Sequence, residues 1–486
     1  METIGCTGGR NNMRVTDLIY LASEYLKLGI IIGIFIMFCM FAGYFLVYRK
    51  LLKGQRVIGW KVFLWWGIFL CYLFVVLGAT LLSRGNGWTN DKIRPLFYSY
   101  RDAWISFSNA AWRNIILNFC MFVPFGIWLP LGIKGFRKFW RTYLVGFVFA
   151  LMIECIQLLS RRGLFELDDI LGNTVGTMIG YGLFTMAALV ISKITKRKSK
   201  KVVSVAALQL PLIMTIAVFA IIFVKYDTQE LGNNPYRYIE AYNSKMISVT
   251  GKSEFSTEER ELNVYETTIL TVEEAMEKGE KIFETLGTKI DERSTDIYEE
   301  TIVLYSDLRG YSLWIDYLGG IFELMCFDVL YPDNDTRPDP VSGADEETIR
   351  NALGEIGFDI PKGAVFKELE SGEYQFEAAM LETEESIVNG TFACSYYGEN
   401  GIGEISNFLI TCTPYKAYTA ISEQEAYDKI VNGEFRYIGN IQLEIQVESC
   451  SMVYCIDSKG YYQPNYRFEC MINGEESEIM IPAIKN

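Results

Sequence analysis

Between Arg113 and Tyr181, a few groups able to do acid–base or binding chemistry interrupt three strongly apolar stretches. They are Arg113, Asn118, Glu154, Gln157, Arg161, Asp168, Asp169 and Asn173. Ionisable and amide side chains are costly at membrane depth, so they are rare there unless paired or used. Glu154, Asp168 and Asp169 are the candidate catalytic groups; a buried Glu154 with a raised pKa could give and take a proton near neutral pH. Asn118, Gln157 and Asn173 are candidate binding groups. So are Arg84, Arg94, Arg101, Arg113 and Arg161, whose guanidinium forks suit anionic head groups. Glu154, Asp168, Asp169 and Asn173 form an all-oxygen set that suits magnesium or calcium. Spacing along three separate segments cannot show four oxygens meeting on one ion, so the sequence assigns neither metal nor cofactor.

Spacing supports a shared location. Glu154, Gln157 and Arg161 fall at i, i+3 and i+7, one stripe of a helix. Asn114 and Asn118 are four apart, as are Asp169 and Asn173, and Gly172, Gly176 and Gly180 form a small-residue run along which a neighbouring helix can approach closely. The competing structural reading is a set of polar clamps, each contributing about 1 kcal/mol, with Asp168 or Asp169 capping a helix N-terminus. Pro124 is expected to open its helix locally and free a carbonyl.

Six apolar runs of spanning length must position these groups: Leu28–Tyr48, Trp60–Leu82, Asn114–Ile133, Trp140–Leu159, Ile170–Ser192 and Val202–Val224. Loops 49–61, 134–141 and 193–201 hold 5, 4 and 6 basic residues, against 3, 5 and 2 in the longer segments 1–27, 83–113 and 160–169. The denser set marks the cytoplasmic side, which places the N-terminus and everything after Val224 outside. On these boundaries Asn118, Glu154 and Asn173 each lie four or five residues inside the outer end of a span. That is roughly 6–8 Å below the outer surface.

Charge divides the chain in the same place. Residues 1–224 carry 25 Lys and Arg against 9 Asp and Glu, and residues 225–486 carry 20 against 50. A basic membrane half is thus followed by an acidic, water-facing half. The chain has no histidine, which excludes a Ser-His-Asp triad, a Cys-His dyad and a His-ligated zinc. Six of the 11 cysteines lie in the second half, with no CxxC pair; they are expected to be buried and unpaired, with disulfides as the alternative. The basic loops are short and lack an aromatic stacking series, so nucleic acid is not a partner.

After a linker at 225–243 with a Gly232-Asn-Asn-Pro235 turn, three helix signals recur. Thr271-x-x-Glu274 and Ser422-x-x-Glu425 are capping boxes whose runs stop at Gly287 and Gly433, and a further helix lies near Asp345–Ile356, stopping at Gly357. Alternating strands follow each helix, with turns at Gly319-Gly320, Ser458-Lys459-Gly460 and Asn473-Gly474. The expected fold is therefore a multi-span α-helical membrane bundle at 28–224, after an N-terminal segment at 1–27. An α+β extracytoplasmic domain follows at 244–486, built from two or three related units.

Across about residues 60–192 the chain resembles the VanZ-like family of bacterial membrane proteins. The matching pieces are Thr80-Leu-Leu-Ser83-Arg84, Pro95-x-Phe97, Tyr100-Arg101, Asn118-x3-Phe122-x-Pro124-Phe125-Gly126, Glu154-x2-Gln157, Arg161 and Asp168-Asp169-x3-Asn173-x2-Gly176-x3-Gly180-Tyr181. The resemblance implies an association with resistance to glycopeptide antibiotics, teicoplanin in particular, and supplies no reaction. Residues 422–486 resemble, more weakly, exported PepSY-like or YycI-like domains of Gram-positive bacteria, which implies a binding or inhibitory module.

The expected function is an integral membrane protein that binds or acts on a lipid-linked envelope component or a glycopeptide at the outer leaflet. Its partners would be a membrane lipid or cell-envelope precursor, and an envelope protein for the acidic domain. The alternative is an envelope sensor whose outer domain reads a ligand while the bundle anchors it.

Overall fold

The computed structural model describes residues 34–35, 37–39, 41–53, 55, 59–82, 93–161, 163–196, 201–237, 246–251, 254–298, 300–307, 310–332, 337–370, 372–382, 386–436 and 442–485. The chain forms two compact units, Met1–Gln229 and Glu230–Asn486.

Among the described residues, five helices of the first unit are long and apolar enough to cross a membrane: Val62–Leu81, Asn109–Gly132, Phe139–Ser160, Leu167–Ile194 and Leu210–Thr228. Of the anticipated Leu28–Tyr48 run, residues 28–33, 36 and 40 lie outside the described residues; the rest is helical and passes into a π-helical stretch at Gly43–Leu51. The helices are α1 (Trp60–Leu77), α2 (Tyr98–Ser106), α3 (Asn109–Gly132), α4 (Phe139–Ser160), α5 (Leu167–Ile194), α6 (Val202–Ala207) and α7 (Leu210–Thr228). Two expected boundaries need correction. α3 starts at Asn109, five residues before Asn114, so Asn118 sits deeper along its helix than hydropathy implies. The Val202–Val224 run is broken at Leu208–Gln209, where the Gln209 amide donates to the carbonyls of Gly182 and Val205 at 2.9 and 3.2 Å. Pro211 then opens α7, a first-turn position where its missing N–H costs nothing.

α3 and α5 run parallel with backbones nearly touching. A Cβ built on Gly176 would lie 2.1 Å from the Phe119 carbonyl oxygen, one on Gly180 2.0 Å from that of Val123, and one on Gly126 2.1 Å from that of Thr177. The small-residue run and its counterpart on α3 permit this approach. Pro124 and Pro130 both lie within α3, and next to the first of them Tyr72 donates to the Met121 carbonyl at 2.8 Å. α4 crosses antiparallel, with Gly146 against the Thr177 side chain. Two short strands, β1 (Ile93–Arg94) and β2 (Phe165–Glu166), pair in parallel and join the segments ahead of α2 and α5.

In the second unit a helix is followed three times by an antiparallel strand run. α8 (Val272–Thr285) precedes β5 (Asp296–Ile297), β6 (Thr301–Tyr305), β7 (Tyr311–Asp316) and β8 (Phe322–Cys326). α9 (Glu346–Glu355) precedes β9 (Val365–Glu370), β10 (Glu373–Glu382), β11 (Ile387–Tyr396) and β12 (Ile402–Asn407). α10 (Glu423–Val431) precedes β14 (Leu443–Ile456), β15 (Tyr461–Ile472) and β16 (Glu475–Pro482). With β3 (Ile247–Gly251), β4 (Glu261–Thr267) and β13 (Ile410–Thr419) these strands make one continuous sheet, in which β3 pairs in parallel with β14.

Local signals explain the helix ends. Thr271 and Glu274 exchange both capping-box bonds, Asp345 accepts from the Thr348 N–H, and Ser422 accepts from the Glu425 N–H. Gly287, Gly357 and Gly433 follow the three helices in the left-handed conformation that ends helices. One apolar core lies under α8 and α9, with Phe283, Leu353 and Phe376 fully buried, and a second lies under α10, around Ile430, Phe435 and Phe468. None of the ten cysteines among the described residues forms a disulfide.

The linker is shorter than composition implies. α7 continues through Lys225 to Thr228, and Gly232–Asn234 are laced into the second unit. The buried Asp457 carboxylate accepts from the N–H groups of Gly232, Lys459 and Tyr461 and from the Gln463 amide, at 2.6–3.0 Å. Asn233 N–H donates to Ser458 Oγ at 2.8 Å, and the Asn234 amide donates to Asn465 Oδ1 at 3.0 Å.

Candidate functional site

The first turn of α5 is the meeting point of the predicted site. Asn118 of α3 donates through Nδ2 to Asp169 Oδ1 at 2.6 Å. Glu154 of α4 accepts, on Oε2, the N–H of Glu166 at 3.0 Å. Glu166 is the N-cap residue of α5 and makes no side-chain cap of its own. Glu154 therefore supplies, from a neighbouring helix, an oxygen acceptor at the N-terminus of α5, where the orphaned N–H groups need one. It is 1% exposed, facing the bundle interior and not its outer surface.

Asp168 does comparable work on α2. Its two carboxylate oxygens accept the N–H groups of Phe97 and Ser99 at 2.5 and 2.8 Å. Phe97, the N-cap of α2, has no capping side chain, so a carboxylate from α5 caps the helix across the chain. Ser99 Oγ donates to Glu166 Oε2 at 2.9 Å, and Arg94 reaches Glu166 Oε1 at the same distance. Ser99 and Glu166 are the members that sequence patterning missed. Residues 83–113 read as a loop, and Glu166 was passed over although it begins the Glu166-x-Asp168-Asp169 run.

Ser99, Tyr100, Ile115, Asn118, Phe119, Asp168, Asp169 and Gly172 enclose a cleft of about 10 Å³, room for roughly one water. Tyr100 of α2 forms its roof. Burial, and then the charges of Asp168 and Asp169, push the Tyr100 phenol well above its ordinary pKa, so it stays a neutral donor.

The remaining expected residues divide. Gln157 is buried and donates to the Thr80 carbonyl at 2.9 Å, while its own Oε1 has no hydrogen-bond partner among the described residues. Asn173 is 2% exposed, one turn deeper than Asp169, and its Oδ1 likewise has no hydrogen-bond partner among them. Arg161 does not continue the Glu154–Gln157 stripe: α4 ends at Ser160, and Arg161 turns out in a left-handed conformation, exposed. Arg94 and Arg101 flank the Tyr98 ring, their guanidinium carbons 4.7 and 5.6 Å from its centroid. Arg113 is partly buried near the start of α3, and Arg84 lies outside the described residues. Among the described residues no three Asp, Glu or Cys side chains are grouped closely enough to hold a metal ion, Glu154, Asp168 and Asp169 included.

These features define a membrane-embedded helical bundle with a carboxylate- and amide-lined cleft at one end. Residues 69–190 match the model of the VanZ/LLP1 family, so the chain carries a VanZ-like domain. No curated protein matches the chain. Among solved structures, the C-terminal domain of YpeB from Bacillus megaterium is similar at 12% identity with a TM-score of 0.21, over 45% of this chain and 100% of that one. An uncharacterised protein from Eubacterium rectale is similar at 10% identity with a TM-score of 0.19, over 49% of this chain and 87% of that one. Neither score reaches the range of a shared fold.

Proposed function

We propose that this VanZ-like membrane protein binds an outward-facing component of the cell envelope, lipid-linked or a glycopeptide of the teicoplanin type, at the cleft beneath α2. In this reading the protein spans the membrane about six times, with its N-terminus and second unit outside, in a Gram-positive envelope, and takes part in glycopeptide resistance. The observation that carries it is the Asn118–Asp169 pair, held at 2.6 Å on the wall of a cleft roofed by Tyr100. A carboxylate beside an amide and a neutral phenol suits a ligand rich in hydroxyl and amino groups, by the inventory of donors and acceptors those groups present. Arg94 and Arg101, stacked against Tyr98 outside the cleft, suit the phosphate of a lipid-linked precursor.

The geometry also orders the candidate acids. Asp168 is committed to two backbone N–H groups, and Glu154 caps α5, so both position the site. Asp169 lines the cleft and is the group a ligand would meet. The experiment is mass spectrometry of lipids that co-purify with the full chain, wild type against Asp169→Asn and Glu154→Gln, with teicoplanin tolerance measured in the same strains. An envelope precursor enriched on wild type and depleted on Asp169→Asn is the expected result; identical lipid profiles and unchanged tolerance would overturn the reading.

The sensor alternative rests on the second unit, whose first residues are laced to Asp457 immediately after α7. It predicts that tolerance survives Asp169→Asn but is lost on removing residues 230–486.

A further inference from the structure

α2 is held differently at its two ends. Both flanking residues, Phe97 (φ 68°) and Phe107 (φ 44°), adopt left-handed backbone that bulky L-residues rarely accept. Such strain persists only where surrounding contacts impose it, and it clusters at segments that move. At the first end the contact is the Asp168 carboxylate, and at the second it is an aromatic ladder from α7. The Phe107 ring stacks on Tyr226, centroids 3.3 Å apart and 4° from parallel. Trp104 meets the same Tyr226 edge-on at 6.2 Å, and Lys225 lies 5.4 Å from the Trp104 ring. Phe223 approaches Phe107 at 5.7 Å and Trp112 at 5.5 Å.

Between these two grips α2 carries Tyr100 over the cleft. α7 buries none of its own residues fully, so the ladder is a main means by which its end holds the bundle.

We propose that α2 is a hinged roof over the Asn118–Asp169 cleft, and that the end of α7 sets its pose through the Phe107–Tyr226 stack. The cleft then opens when α7 is displaced. A cleft with room for about one water must widen before any headgroup or sugar enters. The roof is the only wall of the cleft flanked by two strained hinges among the described residues. This gating holds whichever ligand is bound.

The test measures access, not ligand binding. Ile115 lines the cleft and is 8% exposed. In the full chain in lipid vesicles, Ile115→Cys is labelled with N-ethylmaleimide and followed by peptide mass spectrometry. Tyr226→Ala and Phe107→Ala are expected to speed labelling about three- to tenfold, the scale that loss of one aromatic pair gives a local opening equilibrium. Tyr226→Phe keeps the stack and is expected to leave the rate at its starting value.

Gel filtration and circular dichroism confirm the fold, and if Phe107→Ala fails to fold, the Tyr226→Ala and Tyr226→Phe pair carries the comparison. Equal rates for those two variants overturn the hinge proposal.

Discussion

Replacing Gly176 by alanine tests how closely α3 and α5 must approach. The added Cβ would sit 2.1 Å from the Phe119 carbonyl oxygen and 3.0 Å from its carbon, both backbone atoms that no rotamer change can move. Restoring ordinary contact at about 3.4 Å pushes the helices more than 1 Å apart at this level. The Asn118–Asp169 bond, now 2.6 Å, lies within two helical turns of the clash and would stretch toward the limit of hydrogen bonding. Overpacking of this kind costs about 1–3 kcal/mol, and the interhelical bond adds about 1 kcal/mol, so Gly176→Ala should destabilise the bundle by about 2–4 kcal/mol. Gly172 lies one turn earlier on the same stripe, and its Cβ would meet nothing closer than Asn118 Cβ at 3.5 Å. Gly172→Ala should therefore be neutral, or stabilising by up to about 1 kcal/mol from helix propensity, although its methyl intrudes on the cleft. The assay is equilibrium unfolding of the full chain in mixed micelles, followed by circular dichroism. If both substitutions shift the midpoint equally, or Gly176→Ala does not shift it, backbone contact between α3 and α5 is not what holds the site.

Three further outcomes follow from the geometry. Glu154→Gln keeps an oxygen for the Glu166 N–H and should cost less than about 1 kcal/mol, whereas Glu154→Ala orphans that donor and should cost about 1–3 kcal/mol; the same unfolding assay separates them, and equal losses contradict the capping role. Burial pushes the Cys394 and Cys470 thiols up to about 12 and the Cys412 thiol up to about 11, so a thiol reagent at pH 8 should leave all three unmodified until the protein unfolds. A reductant should not lower the melting temperature either, because no described cysteine is in a disulfide. Burial also raises the carboxyls of Asp316, Glu323 and Asp457 above their ordinary 3.8, 4.5 and 3.8. A carboxyl raised in the folded state takes its proton first as pH falls, so these groups favour the folded second unit as pH drops from neutral towards about 4.5. Relief of self-repulsion in this acidic unit acts in the same direction. A melting temperature that falls between pH 7 and pH 5.5 would contradict both.

The spans were legible in the sequence because hydropathy over a bilayer-length window is a coarse property that survives local irregularity. The breaks were not: Gln209 splits the last apolar run by bonding the Gly182 and Val205 carbonyls, a long-range contact that no window registers. The level of Asn118 and Glu154 was legible, since polar residues in apolar helices have few other partners; Asn173, the third residue expected there, lies one turn deeper than Asp169, which Asn118 meets instead. Who partners whom was not. Glu154 meets the N–H of Glu166 and Asp168 meets those of Phe97 and Ser99, and a backbone donor has no sequence signature. For the same reason α2 was hidden: its N-terminal cap is Asp168, 71 positions away from Phe97. In the second unit the caps are local, and there Thr271, Asp345 and Ser422 mark their helices directly.

The parallel pairing of β3 with β14 has a consequence for biosynthesis. Thr250 on the first of these strands bonds the Ile445 carbonyl on the second, 195 positions later. The opening segment of the second unit thus emerges from the ribosome long before its partner exists, and contacts of such high sequence separation form slowly. Nascent chains that lack the last three strands would present an orphaned β3 and an unanchored Gly232–Asn234, which makes the C-terminus the clasp that completes the fold.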